Sequence, residues 1–438
     1  MPELHDIPSR DEVLQQLQHM LLSAIFKNAP NRAMLLVFVV ERTLAKQRMT
    51  EDSIGKKLFP GYTKDASDDV RVTATHLRKS LTRYFASEGA TDLVVIELPQ
   101  GPSYRTRFTY NPKKNIIRRY ELGRSLLNSL RYSDLVIGYS VFINLINVRF
   151  APGHSSLADS QLRLTLISHF TSRRNALRVD LSEVEGYCRS ALEIDPAYWH
   201  AHYMLGAVES WQRNWNAARK SFAKAFELDP VKASNCVYYP VFLLAVGEVD
   251  RALAMVRATA LMSPGDILAQ FAAALFLHVT RNFGEVKKYI DGPLFGATLQ
   301  NNWLALSISV MNMLALGDLT EVDRLLSRPE QQDMWHSYSM RDNSLGLIAL
   351  VRAEQGNRAE AQAILASLLE DPDNRPEQVA MAHIAVGQIE EAIALLRASL
   401  DNGNPMWMWL NLWPVFDPLK GHPAFKDLLV HMGLPGPD

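Results

Sequence analysis

Between Arg71 and Arg83 the chain carries Arg71, Thr75, His76, Lys79, Thr82 and Arg83, with Arg78 on the flank and no acidic residue among them. On a helix, positions three or four apart share a face, so these side chains point outward together. A solvated helix face usually mixes both signs of charge, and this one does not. Ammonium and guanidinium groups in such an array pair with phosphates or reach base edges in a major groove. Arg105 and Arg107 follow on a short β-type run. The chemistry expected here is recognition of double-stranded DNA, not bond-breaking.

No other constellation has catalytic spacing. His200 and His202 are two apart, point to different faces of a helix and make no chelating pair. No further histidine, cysteine or acidic group stands at ligand spacing, so neither a metal nor a cofactor is expected. The phosphate-binding, dinucleotide-binding and nucleophile-elbow glycine patterns are absent. Carboxylates fall beside basic residues at helical spacing, as solvated pairs do. An enzyme is not expected. Cys188 and Cys236, the two cysteines, read as small buried residues rather than a disulfide, which fits a reducing cytosol. The acidic, polar start shows no signal peptide. The longest fully apolar run, residues 33–40, is too short to cross a bilayer. A cytoplasmic protein without a membrane partner is expected.

The elements that must hold the basic row are legible. Ser9 and Glu12 form a capping box, and Val13, Leu17, Met20, Leu21 and Ile25 have helical spacing. A second helix follows Pro30, from about Arg32 to Gln47. Thr50 caps a short helix ending at Leu58. After a loop of turn residues, Ser67 or Asp68 opens a helix to about Ala86, with Val70, Ala74, Leu77 and Leu81 as its buried stripe. Residues 93–108 read as a hairpin around a Pro/Gly turn. Helix, loop, helix, hairpin is the order of a winged helix–turn–helix.

The stretch VRVTATHLRKSL resembles the recognition helix of OmpR-type winged-helix domains, VIELPQGPSYRTRF resembles their wing, and TEDSIGKKLF the preceding helix. The resemblance covers about residues 50–108. It implies that Val72, His76 and Arg78 contact DNA and that Arg105 and Arg107 lie on the wing. His76 stands where that family usually has arginine, and Pro102-Ser103 where it has a glycine. Helices stand ahead of the motif where that family has its receiver domain, so no receiver domain is expected.

The remainder has a different period. Pro196, Pro230 and Pro264 are 34 residues apart. Counted from Trp199, the residues Leu205, Gly206, Ala218, Phe222, Ala225 and Pro230 resemble a tetratricopeptide repeat, a helix–turn–helix unit that buries its apolar face only by stacking. Gly206 and Ala218 are expected to let two helices approach, with Phe222 between them. Ser182 and Glu185 are expected to cap the helix before this unit. Tyr239-Pro240 predicts a short or bent first helix in the unit after it. GDLTEVDRLL, GNRAEAQAIL and GQIEEAIALL repeat one turn-plus-helix phrase, with Val322, Ala361 and Ala392 inward. The aromatic run 406–413 is expected to pack a terminal helix on the last repeat, and Arg173-Arg174 to lie in an exposed loop. The ending FDPLKGHPAFKDLLVHMGLP resembles the last segment of bacterial proteins that join such winged helices to these repeats.

The expected fold is mostly α: residues 1–112 a helical, winged-helix DNA-binding domain with a small β-hairpin wing, 113–180 a junction with an irregular first repeat, and 181–438 an α-solenoid of tetratricopeptide-like repeats. Residues 1–120 hold 19 Lys and Arg against 13 Asp and Glu, a net of +6, and the rest −7. A basic head on an acidic body fits a nucleic-acid module joined to a protein-binding module. The expected function is a DNA-binding transcription regulator. Its repeats would bind a protein or basic peptide in a groove near Tyr203 and Gln212, flanked by Trp199, Trp211 and Trp215, or would self-associate into a homo-oligomer. Its rivals are a non-enzymatic adaptor with a protein-binding winged helix, and a sensor subunit of a separate enzyme.

Overall fold

The computed structural model describes residues 7–63, 67–101, 103–128, 132–170, 180–234, 236–262, 264, 267–292, 303–327, 345–370, 376–399 and 408–434. The chain divides into two compact units, Met1–Glu121 and Leu122–Asp438. The 173–174 arginine pair and residues 406–407 lie outside the described residues.

In the first unit, α1 (Arg10–Leu22) opens with the expected box: Ser9 Oγ accepts from the Glu12 amide, and Glu12 accepts from the Ser9 amide. A short α2 (Ala24–Lys27) leads to α3 (Pro30–Leu44), then α4 (Glu51–Leu58) and α5 (Ser67–Ala86). Thr50 caps α4 in a reciprocal pair with Ser53. β1 (Val94–Glu97) and β2 (Arg107–Tyr110) form an antiparallel hairpin with Val94 opposite Tyr110 and Glu97 opposite Arg107. The first turns of α6 (Pro112–Leu127) complete this unit. Val70, Ala74, Leu77 and Leu81 are all buried, joined by Leu35, Val39, Ile54 and Ile96 in one core. α4 is seated tightly: a Cβ on Gly55 would fall 2.2 Å from the Tyr62 ring, so a larger residue there must displace that ring.

In the second unit α7 (Tyr132–Ile143), α8 (Ala151–Phe170) and α9 (Leu181–Ile194) precede a series of helix pairs. These are α10 (Trp199–Trp211) with α11 (Trp215–Leu228), followed by the short α12 (Pro230–Ser234), then α13 (Tyr238–Ala245) with α14 (Val249–Met262), and α15 (Ile267–Val279) with α16 (Phe283–Ile290). Next come α17 (Trp303–Ala315) with α18 (Leu319–Leu326), α19 (Leu345–Glu354) with α20 (Arg358–Glu370), and α21 (Pro376–Val386) with α22 (Ile389–Ser399). A 3₁₀ turn (Pro414–Leu419) and α23 (Pro423–His431) close the described chain. The largest apolar cluster holds residues from Ala158 to Leu434, α19, α20 and α21 share a second around Ala361 and Leu365, and Ala151, Ala191 and Ala201 form a small third. The unit is thus a series of antiparallel helix pairs, a helical-repeat arrangement.

The expected details of the clearest pair hold. A Cβ on Gly206 would meet the Phe222 ring at 2.9 Å, and Phe222 is fully buried. α13 is short, and Pro240 sits in its first turn, where a missing amide costs nothing. Val322, Ala361 and Ala392 are all buried. One expectation fails. Ser182 and Glu185 form no capping box: the Asp180 carboxylate caps α9 by accepting from the Ser182 amide and hydroxyl, while Glu185 binds Arg189 and Gln212. A carboxylate two residues earlier outcompetes the serine for the first free amides.

The turn inside each pair is the most regular feature of the unit. Arg213, Gly247, Arg281, Gly317, Gly356 and Gly387 all have φ between 63° and 85°. After each, the next amide reaches five residues back, as in Asn214 to Glu209 and Gln388 to His383, both 2.8 Å. This left-handed closure satisfies the last carbonyls of the first helix and reverses the chain. Glycine takes it freely, and the two arginines take it at a cost.

Candidate nucleic-acid interface

α5 buries one stripe and offers the opposite one. Val72, Thr75, His76, Lys79 and Arg83 are exposed, Val72 at 55%. The side chains of His76, Lys79 and Arg83 make no hydrogen bond or ion pair with any described residue, nor do those of Arg105 and Arg107 on and beside β2. The Thr75 hydroxyl donates to the Arg71 carbonyl one turn back. The free cations therefore start at the middle of α5.

Two expected contacts are corrected. Arg71 donates from Nε and Nη2 to the two Glu51 carboxylate oxygens at 3.0 and 3.2 Å, and its Nη1 lies 3.8 Å from Asp68. Its charge is matched before any phosphate arrives. Arg78 donates from Nε to the Leu98 carbonyl at 3.0 Å and from Nη2 to the Pro99 carbonyl at 3.2 Å. It is half-buried and spent on the hairpin's first strand end, not turned out toward base edges.

Glu51 is a centre that sequence reasoning missed. Besides Arg71 it accepts from the Tyr104 hydroxyl at 2.9 Å, so one carboxylate joins α4, α5 and the hairpin. Hydrogen bonding from Arg71 first, then Tyr104, holds its carboxyl below the usual range. Burial, with Glu51 beside it, pushes the Tyr104 phenol up to about 12. Tyr104 has φ +47° and is buried, and the next amide but one, Thr106, donates to Thr43 Oγ1 on α3. Glu51 follows its cap directly, and nothing local distinguishes it from an ordinary first-turn acid.

The repeat groove is also corrected. Tyr203 is completely buried, edge-on to Phe222 at 5.1 Å, and its hydroxyl accepts from the Tyr239 amide at 2.8 Å. It is core, and cannot touch a partner. Gln212 ends α10, donating to Glu185 at 3.1 Å and accepting from Asn214 at 3.3 Å, so both ends of its amide are used. Trp199, Trp211 and Trp215 are half-buried against the core.

A buried polar cluster lies beneath this pair. Asp159 on α8 is 1% exposed and accepts from Arg124 at 3.0 Å, Arg163 at 2.7 Å and Tyr238 at 3.3 Å. His200 Nδ1 and Ser155 Oγ are 2.9 Å apart, and His200 Nε2 is 3.9 Å from Asp159. Burial would raise the Asp159 carboxyl, but Arg163 and then Arg124 hold it down to about 2. Burial, helped by Arg124, pushes His200 down to about 3, so it stays neutral. The residue types match a hydrolytic triad. Ser155 is fully buried, however, and no acyl group can approach it. The cluster ties α6, α8, α10 and α13 together.

Among the described residues no three His, Cys, Asp or Glu side chains could hold a metal ion, and no helix is long and apolar enough to cross a membrane. Cys188 and Cys236 are free thiols.

No family model and no curated protein matches the chain. Solved structures similar to it include PilW, a type IV pilus biogenesis factor, 18% identical over 52% of this chain and 96% of that one with a TM-score of 0.40. A human IFIT1 dimer with PPP-AAAA is 16% identical over 91% and 96%, with a TM-score of 0.41. Yeast Tom70 is 13% identical over 96% and 88%, with a TM-score of 0.40.

Proposed function

We propose that this chain is a non-enzymatic adaptor that assembles with other proteins through its helical-repeat unit. The observation that carries the reading is the apolar core that runs through successive helix pairs between Ala158 and Leu434, with a second cluster shared by α19, α20 and α21. Such a stack devotes its sequence to extended surface rather than to an enclosed site. Its buried titratable cluster is used up in ion pairs. Cross-linking in the native cell, with the linked residues identified, tests this. Partner contacts should map to residues 122–438 and be lost when Phe222→Ala loosens the stack. Contacts confined to the first unit would overturn the reading.

A second reading adds duplex DNA as a partner, making the adaptor a transcription regulator. One observation favours it: the row of His76, Lys79 and Arg83 on α5, unpartnered among the described residues, with Arg105 and Arg107 at the hairpin. The order α4, α5, hairpin supports an OmpR-type winged helix over residues 50–108. In this reading α5 enters the major groove and the hairpin lies along the adjacent backbone. Arg71 and Arg78 position the elements instead of touching DNA. Full-length protein titrated against random duplex should lose affinity steeply with salt, and Lys79→Ala should lower the log–log slope by about one. Binding that ignores salt, or no binding, would leave the first unit as a protein-contact module.

A further inference from the structure

Residues 408–434 do not simply cap the last repeat. The Trp409 indole N–H donates to the Val241 carbonyl on α13 at 3.1 Å, and its ring stands edge-on to Phe276 on α15 at 5.5 Å. The Trp413 ring is 6.4 Å from the His278 ring, also on α15. Arg281, just past α15, donates to the Asp417 carboxylate at 2.5 Å and to the Leu412 carbonyl at 3.5 Å. A Cβ on Gly433 would lie 3.1 Å from the Trp215 indole nitrogen. The contacted residues lie 131–168 positions upstream in the three hydrogen-bonded cases, so this is docking, not local folding. Leu410, Leu419, Phe425, Leu428 and Leu429 of the segment are buried, the last helix packing also on α22.

The recognition has a readable chemistry. Trp409, Trp413 and Asp417 are spaced by four. The first helices α13 and α15 supply a carbonyl acceptor for one indole, an aromatic edge for its ring, an imidazole for the second ring and a guanidinium for the acid. Arg281 occupies a left-handed turn where glycine would be easier, and the ion pair with Asp417 gives that arginine a use.

We propose that residues 408–434 are an intramolecular ligand of the face formed by α13 and α15, and that this face recognises a segment bearing two tryptophans four residues apart followed, four further on, by a carboxylate. The face is open to a partner segment of that kind only when the chain's own segment has left it. This goes beyond the adaptor reading and does not depend on it.

The test lets the chain fold first. A protease site is introduced within residues 400–407, and the folded full-length protein is cut there. The released segment should co-elute with the body on gel filtration, and should exchange with a fluorescein-labelled synthetic peptide of residues 406–434. Peptides carrying Trp409→Ala or Asp417→Arg should exchange at least tenfold less well. A body carrying Arg281→Glu should disfavour the native peptide and prefer the Asp417→Arg peptide. Dissociation of the cut segment on gel filtration, or equal exchange by native and substituted peptides, would overturn the proposal. In the uncut chain, Arg281→Glu and Asp417→Arg should each lower the melting temperature and the pair together should restore it. Simple addition of the two losses would count against the assigned contact.

Discussion

The Arg78 guanidinium donates to the carbonyl of Leu98, 20 residues further on, and so fastens the middle of α5 to the hairpin. Lys79, its neighbour in sequence, has no partner among the described residues. Arg78→Ala should therefore lower the stability of the first unit by about 1.5–3 kcal/mol, the usual range for hydrogen bonds involving a charged group. Lys79→Ala should leave the melting curve unchanged. If the unit binds DNA, the loss at Arg78 should be independent of sequence. Thermal melts of both variants decide this, and equal stability of the two would show the guanidinium to be dispensable.

Phe222→Ala should cost about 3–5 kcal/mol, as large-to-small changes at buried aromatics do. The ring is packed against Tyr203, Tyr239 and Phe242, two of them in the next helix pair. Hydrogen exchange should accelerate in α13 as well as in α10 and α11. Acceleration restricted to α11 would mean the pairs do not support one another.

Arg213→Gly should raise stability by roughly 1 kcal/mol, since the arginine holds a left-handed backbone that glycine takes without strain. Arg281→Gly should not, because it also removes the pair with Asp417. Chemical denaturation of the two variants side by side separates the backbone effect from the contact.

Acid should weaken the second unit before its carboxylates titrate. The folded state keeps His200 neutral down to about 3, whereas the unfolded chain takes up a proton near 6.5. The unfolded state thus binds more protons between these values, and stability falls as pH drops through 6.5, by on the order of 1–2 kcal/mol at pH 5 from this group. His278, lowered to about 4, adds in the same direction. Asp159, held down to about 2, contributes stability above the unfolded value of 3.8 and loses it only below that. Urea melts at pH 7 and pH 5 should show the loss, and it should shrink in His200→Asn. An unchanged difference in that variant would remove His200 from the account.

Interactions within a few residues were readable from the amino-acid order. The Ser9–Glu12 box and the stripe Val70, Ala74, Leu77 and Leu81 follow from helical spacing and side-chain type, and the seat of Phe222 against Gly206 from the resemblance to a tetratricopeptide repeat. The exposed row of Val72, Thr75, His76, Lys79 and Arg83 follows too, as the opposite face of that stripe. Tertiary packing decided the rest. α10 is buried nearly all round, from His200 to Ser210, so its spacing marks no outward face and Tyr203 could be taken for a groove residue. Glu51, Arg71 and Tyr104 meet across 20 and 53 positions, and Trp409 meets Val241 across 168. Helical periodicity says which side of one helix is apolar. Which neighbour covers that side, and which charge is matched before a ligand arrives, depends on chain segments that meet only when the stack has closed.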